Sequence, residues 1–152
     1  MNISLYTLTS PLHDENSVNA ASVEFISQIE AELGANMAFH GPDFAVYGTG
    51  SLDVIYVRTG GTESLFKEVY PRLKGQVLLL TSGKSNSLAA SMEILSYLNQ
   101  QGRKGEIIHG TPAYIAERLR LLSKVYQARQ FLNGKNLGII GQPSDWLISS
   151  EP

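Results

Sequence analysis

The run from Gln76 to Leu80 places four large apolar residues in succession, with no polar residue between them. A strand with one solvated face alternates apolar and polar residues, whereas a parallel strand covered on both faces does not alternate. A polar turn follows at Thr81 to Ser87, and a helical pattern follows the turn. The run therefore predicts a parallel sheet with helices packed on both of its faces.

The same order of strand and helix recurs along the whole chain. Further strands are predicted at Ile3–Leu8, Asn36–Phe39, Leu52–Arg58, Gly105–His109 and Asn136–Gly141, while Phe44–Tyr47 fits an edge strand or a loop. Helices are predicted at about 15–33 behind the N-cap Asp14, around Leu65–Tyr70, at about 88–101, and at 113–133 behind Thr111-Pro112. Alternating strands and helices are typical of α/β domains. We predict one three-layer, doubly wound, mainly parallel α/β (Rossmann-like) domain over residues 1–150.

Composition narrows the class of protein. A chain of 152 residues with 43% hydrophobic residues fits one globular domain, and a net charge of −2 argues against a nucleic-acid partner. The absence of cysteine excludes disulfides, zinc–thiolate sites and cysteine nucleophiles. The first residues show no signal peptide, and no run reaches the roughly 18 apolar residues of a membrane span. We expect no membrane partner and a cytoplasmic location.

The charge is distributed unevenly. Residues 1–70 hold nine acids and two bases, whereas residues 71–152 hold five acids and ten bases. This asymmetry fits either ordinary surface composition or head-to-tail packing between subunits.

Five segments should meet where a ligand would bind. In open α/β sheets, ligands bind beyond the carboxyl ends of the strands. That edge would collect Thr9-Ser10, Thr59–Glu63, Thr81–Ser87, His109–Thr111 and Gln142–Trp146. The candidate substrate-binding residues are Thr59, Gly60, Gly61, Ser82, Lys84, Ser85, His109, Ser144 and Trp146.

The two glycine-containing turns each allow two interpretations. Gly83-Lys84-Ser85 looks like the end of a P-loop, but Leu78 occupies the position of the glycine that this motif needs. The turn can still bind an anion or a sugar hydroxyl at the start of a helix, or it is an ordinary capped connection. Gly60-Gly61 admits a close ligand or a sharp turn, with Thr62 as the cap of the next helix.

The remaining candidates show no catalytic set. His109 stands at a strand end before a helix, where it has either a structural or a ligand-binding role. The three histidines lack the spacing of metal ligands, and no GxGxxG motif follows the first strand. Trp146 would either pack under the next element or stack on a sugar. We predict no catalytic residue and no metal ligand in these 152 residues.

Three stretches resemble a known family. The stretch from Gly138 to Ser150, with Gly-x-x-Gly followed by Pro-Ser-Asp-Trp-Leu, resembles the end of the first domain of the L-fucose/L-arabinose isomerase-like proteins. Val57–Glu63 and Leu80–Leu88 are similar to strand-to-helix turns of that group. Ser144 and Trp146 match the motif.

The resemblance implies a function for a longer protein. Members interconvert aldoses and ketoses with a divalent metal, usually manganese, held by acidic residues and a histidine of later domains. The chain would then be the amino-terminal domain, ending near Pro152 before the missing carboxyl-terminal domains. The resemblance also implies a homo-oligomer in which this domain reaches the active site of a neighbouring subunit.

Two alternatives remain open. The turn at Thr81–Ser85 also resembles the Ser/Thr-rich phosphate turns of sugar isomerase (SIS-type) phosphosugar domains, which indicates a sugar-phosphate-binding module that uses Thr81–Ser87. The third possibility is a purely structural domain without a ligand. The ligand would accordingly be a monosaccharide, a sugar phosphate or none.

Overall fold

Five parallel strands form one sheet at the centre of the domain. The computed structural model describes residues 2–49, 52–136, 138 and 141. The strands are β1 (Ile3–Leu8), β2 (Ala38–Gly41), β3 (Leu52–Val57), β4 (Val77–Leu80) and β5 (Gly105–Ile108), and they lie in the order β2-β1-β3-β4-β5. The helices are α1 (Glu15–Leu33), α2 (Glu63–Val69), α3 (Ser87–Gln100) and α4 (Pro112–Leu132). The predicted α/β class with a parallel sheet is confirmed.

The helices cover both faces of the sheet, as a chain that winds in two directions requires. From β1 to β2 the chain moves toward one edge, and from β3 through β5 it moves toward the other. Because crossovers between parallel strands are right-handed, opposite directions place the helices on opposite faces. Helices α1 and α4 pack together on one face, while α2 and α3 cover the other. The three-layer, doubly wound architecture follows.

Each central strand contributes apolar side chains to two separate cores. In β4, Leu78 and Leu80 join the core beneath α1 and α4, whereas Val77 and Leu79 join the core beneath α2 and α3. All four side chains are at most 3% exposed. Fully burying one such side chain contributes about 1.5–3 kcal/mol, so both faces stabilise the sheet. This two-sided burial explains the absence of alternation in the sequence.

Two helix caps formed as the sequence predicts, and a third did not. Asp14 accepts a hydrogen bond from the amide of Ser17 at 2.9 Å, and Thr111 accepts one from the amide of Tyr114 at 3.3 Å. Thr62 does occupy the N-cap position of α2, but its side chain does not cap the helix. Its hydroxyl instead donates to the carbonyl oxygen of Thr59, which closes the turn in front of the helix.

The segment between α1 and β3 differs from the prediction at the start of β2, and it decides between the two interpretations of Phe44–Tyr47 in favour of the loop. Strand β2 begins at Ala38 instead of Asn36, because the amide of Met37 donates to the Glu30 carboxylate at 2.7 Å and stays tied to the end of α1. Phe44 to Tyr47 forms a turn, since the Asp43 carboxylate accepts from the amide of Ala45 and curls the backbone. Phe44 and Tyr47 are nonetheless buried.

The predictions for the last part of the chain concern residues that the structure describes only in part. The strand expected at 136–141 and the loop with Ser144 and Trp146 lie outside the described residues, apart from positions 136, 138 and 141. Within the described ranges, we find no helix that has both the length and the hydropathy needed to cross a membrane.

Candidate functional site at the carboxyl edge of the sheet

Four of the five polar segments meet at one edge of the sheet. All strands are parallel, so the segments after β1, β3, β4 and β5 leave the sheet on the same side. They contain Thr9-Ser10, Thr59–Glu63, Thr81–Ser87 and His109–Thr111. The direction of winding reverses between β1 and β3, and the crevice at such a reversal is where open α/β sheets bind ligands. We call this surface the strand-end edge.

The Gly60-Gly61 turn packs against its neighbours on both sides. The amide of Gly60 donates to the carbonyl oxygen of Ser85 at 2.7 Å, and a Cβ at position 60 would lie 3.0 Å from the Cβ of Asn86. Gly61 has φ +72°, and a Cβ there would lie 3.1 Å from the Ser10 hydroxyl oxygen. The glycine pair therefore lets the turns after β1, β3 and β4 approach one another closely.

A buried pair of hydroxyls shapes the turn after β4. The Thr81 hydroxyl donates to the Ser87 hydroxyl at 2.7 Å, and the Ser87 hydroxyl donates to the Lys84 carbonyl oxygen at 2.6 Å. Both side chains are fully buried. The amide of Gly83 donates to the Thr81 hydroxyl oxygen at 3.1 Å. This network leaves Lys84 and Ser85 exposed and Ser82 half-buried at the edge.

Two residues of this turn have an uncommon backbone conformation. Ser85 has φ 52° and Asn86 has φ 58°, both in the left-handed region. Most non-glycine residues adopt this region at a cost of about 1–2 kcal/mol, and asparagine tolerates it better than serine does. Strain of this kind concentrates at functional sites, where the surrounding contacts maintain it. Here the hydrogen bond from Gly60 to the Ser85 carbonyl is one such contact.

Helices α2 and α3, which begin after the turns at the strand-end edge, lack side-chain caps. The N-cap residues Thr62 of α2 and Asn86 of α3 make no capping hydrogen bond with their side chains, whereas those of α1 and α4 do. The first-turn amides of a helix have no partner within the helix. At the start of α3, the amide of Ser87 donates to the Lys84 carbonyl oxygen, and the side chain of Asn86 caps none of the amides that follow it.

His109 is held by the turn after β4. Its Nδ1 lies 3.0 Å from the carbonyl oxygen of Thr81, and the ring covers Gly83. A Cβ at position 83 would lie 2.8 Å from the Cε1 atom of the ring. The side chain is otherwise exposed. The ends of β4 and β5 are therefore joined through the imidazole of His109.

Arg58 is a residue that sequence reasoning missed. It directly follows β3 and is 8% exposed. It donates from Nε to the Ser22 hydroxyl at 2.9 Å, from Nη1 to the Thr9 hydroxyl at 3.1 Å, and from Nη2 to the Asn19 side-chain oxygen. Burial lowers the pKa of the guanidinium, since three neutral oxygens replace water around it. These acceptors lie 36–49 positions away in sequence, so a local sequence pattern does not predict the contacts.

Tyr114 is a second residue that the sequence did not mark. Its side chain is 54% exposed, and a Cβ at Gly110 would lie 2.9 Å from its ring. The available signal was its place in the first turn of α4, three positions after the N-cap Thr111. That position puts an aromatic ring at the strand-end edge instead of on the packed face of α4.

A cleft of about 520 Å³ lies at the opposite edge of the sheet. Leu52, Gln76 and the end of α4 line it, together with Asp53 and Lys74. None of the seven predicted substrate-binding residues that the structure describes lines this cleft. The strand-end edge is thus a surface of converging turns, distinct from the cleft.

The structure brings seven of the nine predicted residues together. Those at the strand-end edge are Thr59, Gly60, Gly61, Ser82, Lys84, Ser85 and His109, whereas Ser144 and Trp146 lie outside the described residues. Thr59 is fully buried, and its hydroxyl accepts from the amide of Ser10 at 2.9 Å. Thr59 therefore stabilises the strand-end edge from the buried side and is not exposed to a ligand.

The described residues do not form a metal centre. Among them, no three His, Asp or Glu side chains are grouped so that they would hold an ion. The family resemblance places the manganese ligands in later domains, and we assign no chemical step to a metal here. Comparison of the chain with protein-family models, with curated proteins and with solved structures gave no match.

Proposed function

We propose that this chain is the amino-terminal α/β domain of a cytoplasmic aldose–ketose isomerase-like protein and that its strand-end edge contacts the sugar. The observation that supports this proposal most is the contact between two turns at this edge. Two turns that resemble turns of the L-fucose/L-arabinose isomerase-like proteins lie side by side, at Val57–Glu63 and Leu80–Leu88. They share the hydrogen bond from the Gly60 amide to the Ser85 carbonyl oxygen.

The chemistry of the edge suits sugar binding. Ser82 and Ser85 offer hydroxyls, Lys84 offers an ammonium group, and His109 offers a ring nitrogen, all at least partly exposed. Tyr114 adds an aromatic ring, on which the apolar C–H face of a sugar can stack. A few placed polar groups beside an aromatic surface are the usual composition of a small-molecule site. The role is binding and closure over a substrate, with the metal and the catalytic groups in later domains.

The outward face of α4 supports a role in assembly. Leu121, Val125 and Leu132 are 48–64% exposed and recur at helical spacing along one side of the helix. Apolar side chains grouped in this way commonly mark subunit contacts. We propose a second copy of the same protein as the occupant, as the family resemblance implies for a homo-oligomer.

An activity assay tests this proposal. A form of the protein that also carries the metal-binding domains of this proposal should interconvert an aldose and a ketose in the presence of Mn²⁺ and should lose this activity with EDTA. Lys84→Ala should raise KM, whereas Lys124→Ala, at an exposed lysine on α4, should not. Absence of isomerisation across a panel of pentoses and deoxyhexoses would refute the proposal.

A sugar-phosphate-binding module of the SIS type is the second candidate. The start of α3, which has no side-chain cap and lies beside Lys84, favours it, because a helix N-terminus and a cation together attract phosphate. If this alternative holds, a sugar phosphate raises the Tm of the chain, and Lys84→Ala removes the increase while Lys124→Ala preserves it. An unchanged Tm across a phosphosugar panel would eliminate this alternative.

A further inference from the structure

The two ring nitrogens of His109 have different roles. Nδ1 lies 3.0 Å from the Thr81 carbonyl oxygen, which can only accept a hydrogen bond. The proton therefore resides on Nδ1, and in the neutral ring Nε2 carries a lone pair. Because Nδ1 faces the Thr81 carbonyl oxygen, the lone pair of Nε2 lies on the other side of an exposed ring.

Gly83 maintains this arrangement by leaving room for the ring. A Cβ at position 83 would lie 2.8 Å from Cε1 and 3.4 Å from Nε2. The first distance is shorter than two carbon atoms tolerate, so any side chain would displace the imidazole. Gly83 also has φ +78°, a conformation in which glycine is favoured. Thr81 and Gly83 together fix both the tautomer and the position of His109.

From this geometry we propose that Nε2 of His109 accepts a hydrogen bond from a hydroxyl group of the ligand. This inference rests on the proposed sugar-binding function and specifies which ligand group meets the edge at this point. A sugar hydroxyl donates to a lone pair, whereas phosphate oxygens carry negative charge and mainly accept. A lone pair on Nε2 is therefore complementary to a hydroxyl donor of the ligand and not to the oxygens of a phosphate.

The neighbours of the ring fit a polyol. Tyr114 follows in the first turn of α4 with an exposed ring, and Ser82 and Lys84 border Gly83 in the turn after β4. A lone pair, hydroxyl and ammonium donors, and an aromatic face match the alternating hydroxyl and C–H surfaces of a monosaccharide. His109 is in this sense a specificity-determining residue for the sugar.

The tautomer is testable without any ligand. NMR of the chain with ¹⁵N-labelled histidine at neutral pH should show His109 protonated at Nδ1. Gly83→Ala should abolish this signature, while Gly75→Ala should preserve it. Gly75 is the matched control because it has φ +67° and no heavy atom within 4 Å of an added Cβ. A ring protonated at Nε2, or a Gly83→Ala spectrum identical to that of the unmodified chain, would overturn the inference.

The proposed hydrogen bond between Nε2 of His109 and the ligand is tested with L-fucose, L-arabinose and inorganic phosphate as probes. The Nε2 resonance should move with a sugar and remain in place with phosphate. His109→Phe should weaken sugar binding by about two- to tenfold, the loss expected for one hydrogen bond. Sugar-induced changes elsewhere at the edge with an unchanged His109 ring would overturn this inference but leave the proposed function intact. A response to phosphate alone would overturn the selection of a hydroxyl.

Discussion

The amide of Gly60 donates a 2.7 Å hydrogen bond to the carbonyl oxygen of Ser85, a residue with a left-handed backbone. This contact joins the turn after β3 to the turn after β4. A Cβ at position 60 would lie 3.0 Å from the Cβ of Asn86, so the approach depends on glycine. The shape of the strand-end edge therefore follows from backbone packing between two turns, on which the exposed side chains are then arranged.

The strain at Ser85 gives the first prediction. Ser85→Gly should raise the free energy of unfolding by about 0.5–1 kcal/mol, because glycine adopts φ 52° without steric cost. Urea denaturation measures this change.

Ser96→Gly is the matched control, since Ser96 lies exposed within α3. There the substitution should lower the free energy of unfolding by about 0.5 kcal/mol, following helix propensity. If Ser85→Gly is destabilising by a similar amount, the left-handed conformation does not store strain.

Arg58 gives the second prediction. Arg58→Lys should destabilise the protein by about 1–3 kcal/mol, because an ammonium group cannot reach the Ser22, Thr9 and Asn19 oxygens from one planar fork. Chemical denaturation reports the difference.

Arg118→Lys is the comparison. Arg118 pairs with Glu106 at 2.5 Å, but its side chain is 38% exposed, and an exposed ion pair contributes only about 0–1 kcal/mol. Equal effects of the two substitutions would show that the buried position of Arg58 has no special importance.

The third prediction concerns alkaline pH. Burial, followed by the charge of Asp53, raises the pKa of Tyr6 to about 12 and also raises the pKa of Tyr47. A raised pKa in the folded state stabilises the fold fully below the unfolded value, about 10, and this contribution is lost as the pH rises toward 12. The free energy of unfolding should therefore fall between pH 10 and pH 12.

Substitution isolates the tyrosine contribution from that of other groups. Tyr6→Phe combined with Tyr47→Phe should flatten the decline in unfolding free energy between pH 10 and pH 12. Tyr114→Phe, at an exposed ring, should leave the decline unchanged. A decline that is just as steep in the double variant would assign it to other groups.

Much of the fold was predictable from local patterns. The apolar strands, the caps Asp14 and Thr111, and the gathering of polar turns at one edge follow from residue spacing and the parallel arrangement. The start of β2 was not predictable, because the carboxylate of Glu30 holds Met37 across seven positions. Local propensity contains no information about such a contact.

The candidate site was predictable in location but not in its internal contacts. The bond between His109 and Thr81 spans 28 positions, and those of Arg58 span 36–49. Thr62 was expected to cap α2 with its side chain, but tertiary packing turned its hydroxyl toward Thr59. Residue type indicated which positions offer polar groups to a ligand. The hydrogen-bond partners of these groups become apparent only in the folded sheet.

The most direct test of sugar contact at the strand-end edge is an amide chemical-shift map. ¹⁵N-labelled chain would be titrated with L-fucose and with L-arabinose. Our account predicts changes that cluster at Gly60, Gly61, 82–87, 109–110 and Tyr114. Changes confined to the cleft at the opposite edge, around Leu52, Gln76 and Asn133, or no change with either sugar, would contradict it.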